Sequence, residues 1–167
     1  MNDHLTHDEI ARLRRVLEED DIRKLRLRYS QLMDAGRIDE LAELFTEDAV
    51  CVFGSFGVWT GRDAIRENFA MVDRDHHGGV PFHAVHSNSD HWVDLTGPDT
   101  AIGRAYLIDM VTAKASGEQP IVVIGVYDES YRRERGSWRI ARCTLQFLWP
   151  DRKVTDDFTA PFAGDRE

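Results

Sequence analysis

Cysteine is almost missing from this chain. Only Cys51 and Cys143 occur in 167 residues, far apart and each in apolar surroundings. That leaves no disulfide framework to build on and fits a reducing compartment. No apolar run approaches the roughly 18 residues of a membrane span. The N-terminal stretch MNDHLTHDEI has neither a basic n-region nor an apolar h-region, so no secretory signal is expected. Excess positive charge is missing too. With 21 Lys and Arg against 30 Asp and Glu, the formal net charge is −9, which weighs against nucleic-acid or anionic-membrane partners. Internal repeats and low-complexity segments are also lacking. What remains is a chain 42 % hydrophobic and 31 % charged, long enough for one sizeable core. The expectation is a cytoplasmic protein with a single domain over 1–149. A polar tail, 150–167, carries Phe158 and Phe162 and is expected to dock on the domain or on a neighbouring subunit.

Ile10, Leu13, Leu17, Ile22, Leu25, Tyr29, Leu32 and Met33 recur at helical spacing, predicting a helix over 7–33 capped by Thr6 or Asp8. The acidic run Glu18-Glu19-Asp20-Asp21 marks a candidate break, with Asp20 or Asp21 capping a second helix. In DAGRIDE (34–40), Gly36 ends that helix and Asp39 starts another, with Leu41, Leu44 and Phe45 as its apolar face. AVCVFGSFGVWTG (49–61) reads as a short hairpin. GRDAIRENFAMV returns to helix, with Asp63 near its N-cap and Ile65, Phe69 and Val72 on one face. Four strand-like stretches follow at 81–95, 100–113, 120–134 and 137–149, separated by LTGPDT, AKASGEQP and RERGS. Helices, a hairpin, a helix and then a long antiparallel meander make an α+β pattern.

The densest chemistry lies in VPFHAVHSNSDHW (80–92), which holds His83, His86 and His91 of the chain's seven histidines. Along an unbroken strand, His83, Val85 and His91 share one face, and Ala84, His86, Asn88, Asp90 and Trp92 share the other. Three histidines therefore do not converge unless a bulge intervenes, which argues against a metal site. His76 and His77, beside Gly78-Gly79, read as a solvated loop. Asp34 sits in the last turn of a helix, where the macrodipole disfavours a carboxylate. Asp109 is a polar residue within the apolar strand AYLIDMV and needs a partner if buried. Arg142, on the last strand, is the candidate counter-charge. Phe53, Phe56, Trp59, Phe69, Trp92, Phe147 and Trp149 read as core and pocket wall.

The order of these pieces resembles the nuclear-transport-factor-2-like superfamily and, within it, the SnoaL-like proteins. The resemblance rests on IRKLRLRYSQLMDAGRIDELAELFTEDAV, GRDAIRENF, the histidine strand running into DTAIGRAYL, and VYDESYRRERGSWRIAR. It implies a cone-like α+β barrel in which a curved antiparallel sheet wraps on N-terminal helices around an apolar pocket. It is nearest to the Asp–His members, such as scytalone dehydratase and bile-acid 7α-dehydratase. In those enzymes the Asp ends the first long helix, matching Asp34. The base precedes the next strand's opening residue by about fifteen positions, which from Ala101 lands on His86. A tyrosine near Tyr29 assists the leaving group or polarises a substrate oxygen, and an Asp occurs near Asp109.

The implied chemistry is dehydration or double-bond isomerisation of a hydrophobic cyclic substrate, without metal or organic cofactor. Asp34 would fix the His86 tautomer and leave the other ring nitrogen to take a proton. Imidazole suits this because its ordinary pKa, about 6.5, lies near neutrality. Asp109, Arg142, Asn88 and Asp90 are the candidate substrate-binding residues, the last two by sharing the His86 strand face. The rival readings are a non-catalytic binding or structural subunit of the same fold, and a polyketide-cyclase-like enzyme. Alternating apolar residues on the middle strands leave room for a dimer or trimer interface.

Overall fold

The computed structural model describes residues 5–76, 78–112, 119–156 and 158. Helix α1 (His7–Asp34) is unbroken, and it opens on a capping box in which Thr6 and Glu9 satisfy each other's backbone N–H groups. The break expected at the acidic run does not occur. Glu18 instead accepts a hydrogen bond from Trp138 Nε1 at 2.6 Å and pairs with Arg133, while Asp20 pairs with Lys24 one turn on at 2.6 Å. Acidic residues held in this way support a helix rather than end it. Residues 5–17 are exposed throughout; from Ile22 onward the helix buries one face against the sheet.

The end of α1 is a Schellman motif. Gly36, at φ +66°, donates to the Met33 carbonyl at 3.0 Å, and Arg37 donates to Leu32 at 2.9 Å. This stop leaves Asp34 as the last helical residue, facing the sheet. α2 (Ile38–Ala42) is a single short piece, and Phe45, expected on its apolar face, instead opens strand β1 (Phe45–Val52). β2 (Val58–Thr60) turns back antiparallel on β1, as the glycine-rich hairpin predicts. α3 spans Arg62–His76 and buries Ile65 and Phe69. β3 (Ala84–Leu95), β4 (Thr100–Val111), β5 (Ile121–Glu134) and β6 (Ser137–Trp149) form the meander.

The strands make one six-stranded sheet in the order β2-β1-β6-β5-β4-β3. Only the β1–β6 pair is parallel. The sheet curves without closing, and α1 and α3 cover its concave side. Between them lies an aromatic core in which Phe69 meets Tyr29, Phe45, Phe53 and Trp59 at ring-centroid separations of 5.1–6.0 Å.

Two bulges decide what faces inward. In β3, Ser89 pairs with Tyr106 but Trp92 pairs with Arg104, so one extra residue is absorbed where Asp90 adopts φ +49°. His91, Val93 and Leu95 thereby join Ala84, His86 and Asn88 on the concave side, and Asp90 and Trp92 turn outward. In β6, Ile140 pairs with Tyr131 and Arg142 with Ser130, so Ala141 is the extra residue. Cys143 then faces the core and Arg142 faces solvent. The tail returns along the outer face. Phe147 pairs with Lys153, Gln146 is bonded twice to Thr155 at 2.8 Å, and the Phe158 ring lies 5.1 Å from the Arg104 guanidinium. Phe162 lies outside the described residues.

Candidate active site

Asp34 and His86 meet. The imidazole Nδ1 lies 2.6 Å from Asp34 Oδ1, and the backbone N–H of His86 donates to both carboxylate oxygens, at 3.0 and 3.2 Å. Both side chains are nearly inaccessible, at 8 % and 4 % exposure. The chain converges here for local reasons. The Schellman stop aims Asp34 at the first turn of β3, and the Phe82 N–H donates to the Asp34 carbonyl at 2.6 Å, fastening the strand's approach to the helix end. A carboxylate only accepts, so Nδ1 is the ring nitrogen that donates to Asp34, and in the neutral tautomer this leaves the lone pair on Nε2. Nε2 faces Asp109, whose Oδ2 is 3.9 Å away and whose backbone is directly opposite His86 in the β3–β4 register.

His86 and Asp109 open onto an apolar cavity of about 180 Å³ between α1, α3 and the sheet. Tyr29, Phe53, Phe56, Trp59, Phe69, Tyr127 and Phe147 are the aromatic part of its wall. His76 also lines it, with its ring edge against Phe56 at 5.2 Å, so it is not the loop residue expected from its glycine neighbours. His77 lies outside the described residues. Trp92 and Trp149 do not belong to the wall: Trp92 lines an outer groove and Trp149 is 51 % exposed.

The other expected ligand-binding residues are not at the cavity. Arg142 is exposed on the convex face, separated from Asp109 by the sheet itself, because the Ala141 bulge turns it outward. Asp90 is likewise turned out by the β3 bulge and lines the outer groove with Trp92, Arg104 and Phe158. Asn88 does face inward, but beneath the cavity. Its Oδ1 accepts from Arg26 Nε and from the Ser30 hydroxyl, both at 2.9 Å. His83 precedes β3 in a turn, where its carbonyl accepts from the Thr112 N–H at 2.6 Å. The bulge puts His91 on the same face as His86. Among the described residues, however, no three His, Cys, Asp or Glu side chains stand together as a metal-binding group.

Asn88 belongs to a buried polar network below the cavity. Arg26, with no exposed surface, donates to Glu129 at 2.8 Å. Glu129 accepts from the Tyr131 hydroxyl at 2.5 Å, and that hydroxyl meets His91 Nε2 at 3.0 Å. Burial holds the His91 imidazole down to about 4, so it is neutral near pH 7. The Arg26 guanidinium sits in the angle between the Tyr29 and Tyr127 rings, 3.7 Å from each centroid. Sequence reasoning missed both Arg26 and Tyr127, although each leaves a signal. Arg26 falls at spacings of four, three and four within Ile22, Arg26, Tyr29 and Met33, a charge on a buried stripe. Tyr127, Glu129 and Tyr131 alternate along one face of β5.

Helices packed on the concave side of a curved, open six-stranded sheet define an α+β domain of the nuclear-transport-factor-2-like class. Within it, the chain belongs to the SnoaL-like domain family, whose profile matches residues 14–144. Three solved structures, all from Novosphingobium aromaticivorans, illustrate the likeness. An NTF2-like protein with a cystatin-like fold is 27 % identical, over 90 % of this chain and 94 % of that one, with a TM-score of 0.73. A protein proposed to be an aromatic ring hydroxylase is 29 % identical, over 81 % and 92 %, at 0.70. A protein proposed to be a scytalone dehydratase is 24 % identical, over 84 % and 91 %, at 0.69, and at that identity it shows the fold alone. None of the curated proteins compared matches this chain. Among the described residues, no helix is long and apolar enough to cross a membrane.

Proposed function

We propose that the protein is a cofactor-independent lyase or isomerase in which His86, oriented by Asp34, takes a proton from carbon. The observation that carries this reading is the 2.6 Å Asp34–His86 contact, with the opposite ring nitrogen turned toward the apolar cavity. Such a base works best in a site that excludes water and holds few polar groups. Asp109, whose Oδ2 is 3.9 Å from Nε2, binds the substrate or receives the proton in turn. Tyr29 polarises a substrate oxygen or assists the leaving group.

The substrate is a small hydrophobic ring compound. A dry cavity of roughly 150 Å³ holds benzene, so about 180 Å³ suits one or two rings better than a steroid skeleton. The reaction is elimination of water or a shift of a double bond. The cytoplasm suits the protein, since Cys51 and Cys143 are free, buried and paired in register across β1 and β6. Tyr106, Ile108 and Ile124 are exposed on the convex face, and copies of the chain associate there; a light-scattering mass of one chain in solution would remove this part.

The test of the base needs only a bound ring compound bearing an acidic C–H. Candidates come from a thermal-shift screen, and NMR in D₂O then follows deuterium entering at that carbon. The wild type catalyses the exchange, and His86→Gln slows it at least about a hundredfold. Exchange at the wild-type rate in His86→Gln would sink the assignment. The rival reading is a non-catalytic binding or structural subunit of the same fold. It expects binding with no exchange in either form.

A further inference from the structure

The cavity has a buried floor and an open rim. Tyr29, Trp59, Phe69, Leu107 and Tyr127 are buried and form the floor. Phe56, Val111 and Phe147 are half-buried, and His76 and Ile121 are exposed. The opening therefore lies at the ends of β4 and β5, where Val111 pairs with Ile121. Val111 is two residues beyond Asp109, or roughly 7 Å along the strand. His86, opposite Asp109 in register, stands just inside this opening.

The rim carries two basic side chains that the Asp–His pair does not use. His76 is the last residue of α3, on the face along which Phe69 and Val72 also reach the cavity. Its ring edge rests on Phe56 at 5.2 Å and 84°. Phe147 lies against the turn Gly54–Phe56 so closely that a Cβ on Gly54 would stand 2.8 Å from its ring. Beside Phe147, the returning chain adds Lys153, with backbone hydrogen bonds of 2.9 Å in both directions. Directly opposite residues of an antiparallel pair share a face, so Lys153 leaves the sheet on the Phe147 side, about 4.8 Å farther out. Its neighbour Arg152 accordingly lines the outer groove. Lys153 is exposed and makes no ion pair among the described residues. The carboxylates of the last α3 turn are engaged elsewhere: Asp75 pairs with Arg74 at 3.0 Å, and Asp73 lies against Gly36.

Two basic groups at the entrance of a chain with net charge −9 draw anions to this one place. An ionised carboxylate is too costly to carry to the apolar floor, so a ring acid enters rings first and leaves its charge outside. We propose that the rim is an acid-binding site, and that the substrate is a one- or two-ring compound bearing a carboxylate. The carboxylate accepts from the His76 N–H and pairs with the Lys153 ammonium. A neutral imidazole keeps one N–H, so His76 donates with or without a charge. This rests on the reading of the cavity as the substrate site of the Asp–His base and names the class of compound it takes. Holding the acid at the rim fixes which C–H of the ring faces His86. His76 and Lys153 are thus specificity-determining residues and take no part in the proton transfer.

The experiment compares 2-naphthoate with its neutral near-isostere, 2-naphthamide, by fluorescence titration of wild type, His76→Phe, Lys153→Met and the double variant. His76→Phe keeps a ring edge on Phe56 and removes the N–H; Lys153→Met keeps most of the stem and removes the charge. Both residues are exposed, so neither change reaches the core. Wild type prefers the naphthoate at least about tenfold, the worth of one good charged hydrogen bond. Each single variant lowers that preference several-fold, and the double variant abolishes it, with the affinity for naphthamide unchanged throughout. Arg74→Met, which removes a like charge from the same helix turn, leaves the preference intact. Equal affinities in wild type, or a preference that survives the double variant, overturns the acid-binding rim. So does an equal loss for both ligands, which would mark the two side chains as packing, or a loss in Arg74→Met as large as in Lys153→Met, which would mark the attraction as diffuse. Naphthoate preference in wild type, with His86→Gln still exchanging deuterium at the wild-type rate, would keep the rim and remove the base. Exchange lost in His86→Gln with no such preference would remove only the rim.

Discussion

Replacing Asp34 with Asn tests the catalytic geometry without any knowledge of the substrate. Asp34 accepts from the His86 ring at 2.6 Å and from the His86 backbone N–H at 3.0 and 3.2 Å. Asn is nearly the same shape but has one acceptor oxygen and an amide that only donates. If that oxygen keeps the backbone N–H, the amide turns to Nδ1, which must then accept. The ring proton moves to Nε2, and the lone pair facing the cavity is gone. Each hydrogen bond to a charged group is worth about 1.5–3 kcal/mol, so the fold should weaken by roughly 1–3 kcal/mol and survive. Turnover should fall far more, by about 10³–10⁴, as when the buried Asp of a serine-protease triad becomes Asn. ¹⁵N NMR of the imidazole reads the tautomer directly at a pH where the ring is neutral. The wild type should show a protonated Nδ1 and a bare Nε2, and Asp34→Asn the opposite. An unchanged tautomer, or deuterium exchange reduced less than tenfold, would refute the orienting role.

Two further perturbations probe the scaffold. His91 is held neutral by burial, with a folded value of about 4 against roughly 6.5 when exposed. As pH falls, the unfolded chain takes up this proton first, so the contribution is complete above 6.5 and is lost between 6.5 and about 4. Urea denaturation at pH 7 and 4.5 should therefore show a drop in wild type about 2–3 kcal/mol larger than in His91→Gln; equal drops would contradict the neutral, buried imidazole. At Gly103, a Cβ would stand 2.6 Å from the Trp92 carbonyl oxygen and 3.3 Å from both His91 Nε2 and the Tyr131 ring. Since backbone cannot give way cheaply, Gly103→Ala should cost about 1–3 kcal/mol. An unchanged unfolding midpoint would mean that the β3 bulge does not press on β4 as described.

Local signals made the helices and the four long strands legible, because Thr6, Gly36 and the turn segments carry their chemistry in short stretches. The Asp34–His86 pair was legible only through resemblance, since its partners are 52 positions apart and no periodicity links them. The break expected at Glu18–Asp21 failed because a run of carboxylates stops a helix only when nothing pairs with it, and Arg133, Trp138 and Lys24 were out of sight along the chain. Asp90 and Arg142 failed for a more general reason. Parity along a strand assigns faces only as far as the first bulge, and here a bulge stands between His86 and His91 and another just before Arg142. Neither carries a glycine: the β3 bulge places Asp90 in the left-handed region and the β6 bulge absorbs Ala141. The same β3 bulge swings His91 inward to meet Tyr131. Without it, His91 would face solvent, Glu129 would lose the end of its hydrogen-bonded chain, and Arg26 would be harder to keep buried behind Tyr127. The irregularity that defeated face assignment is thus what lets β3 carry both His86 at the cavity and a brace for the buried cation beneath it.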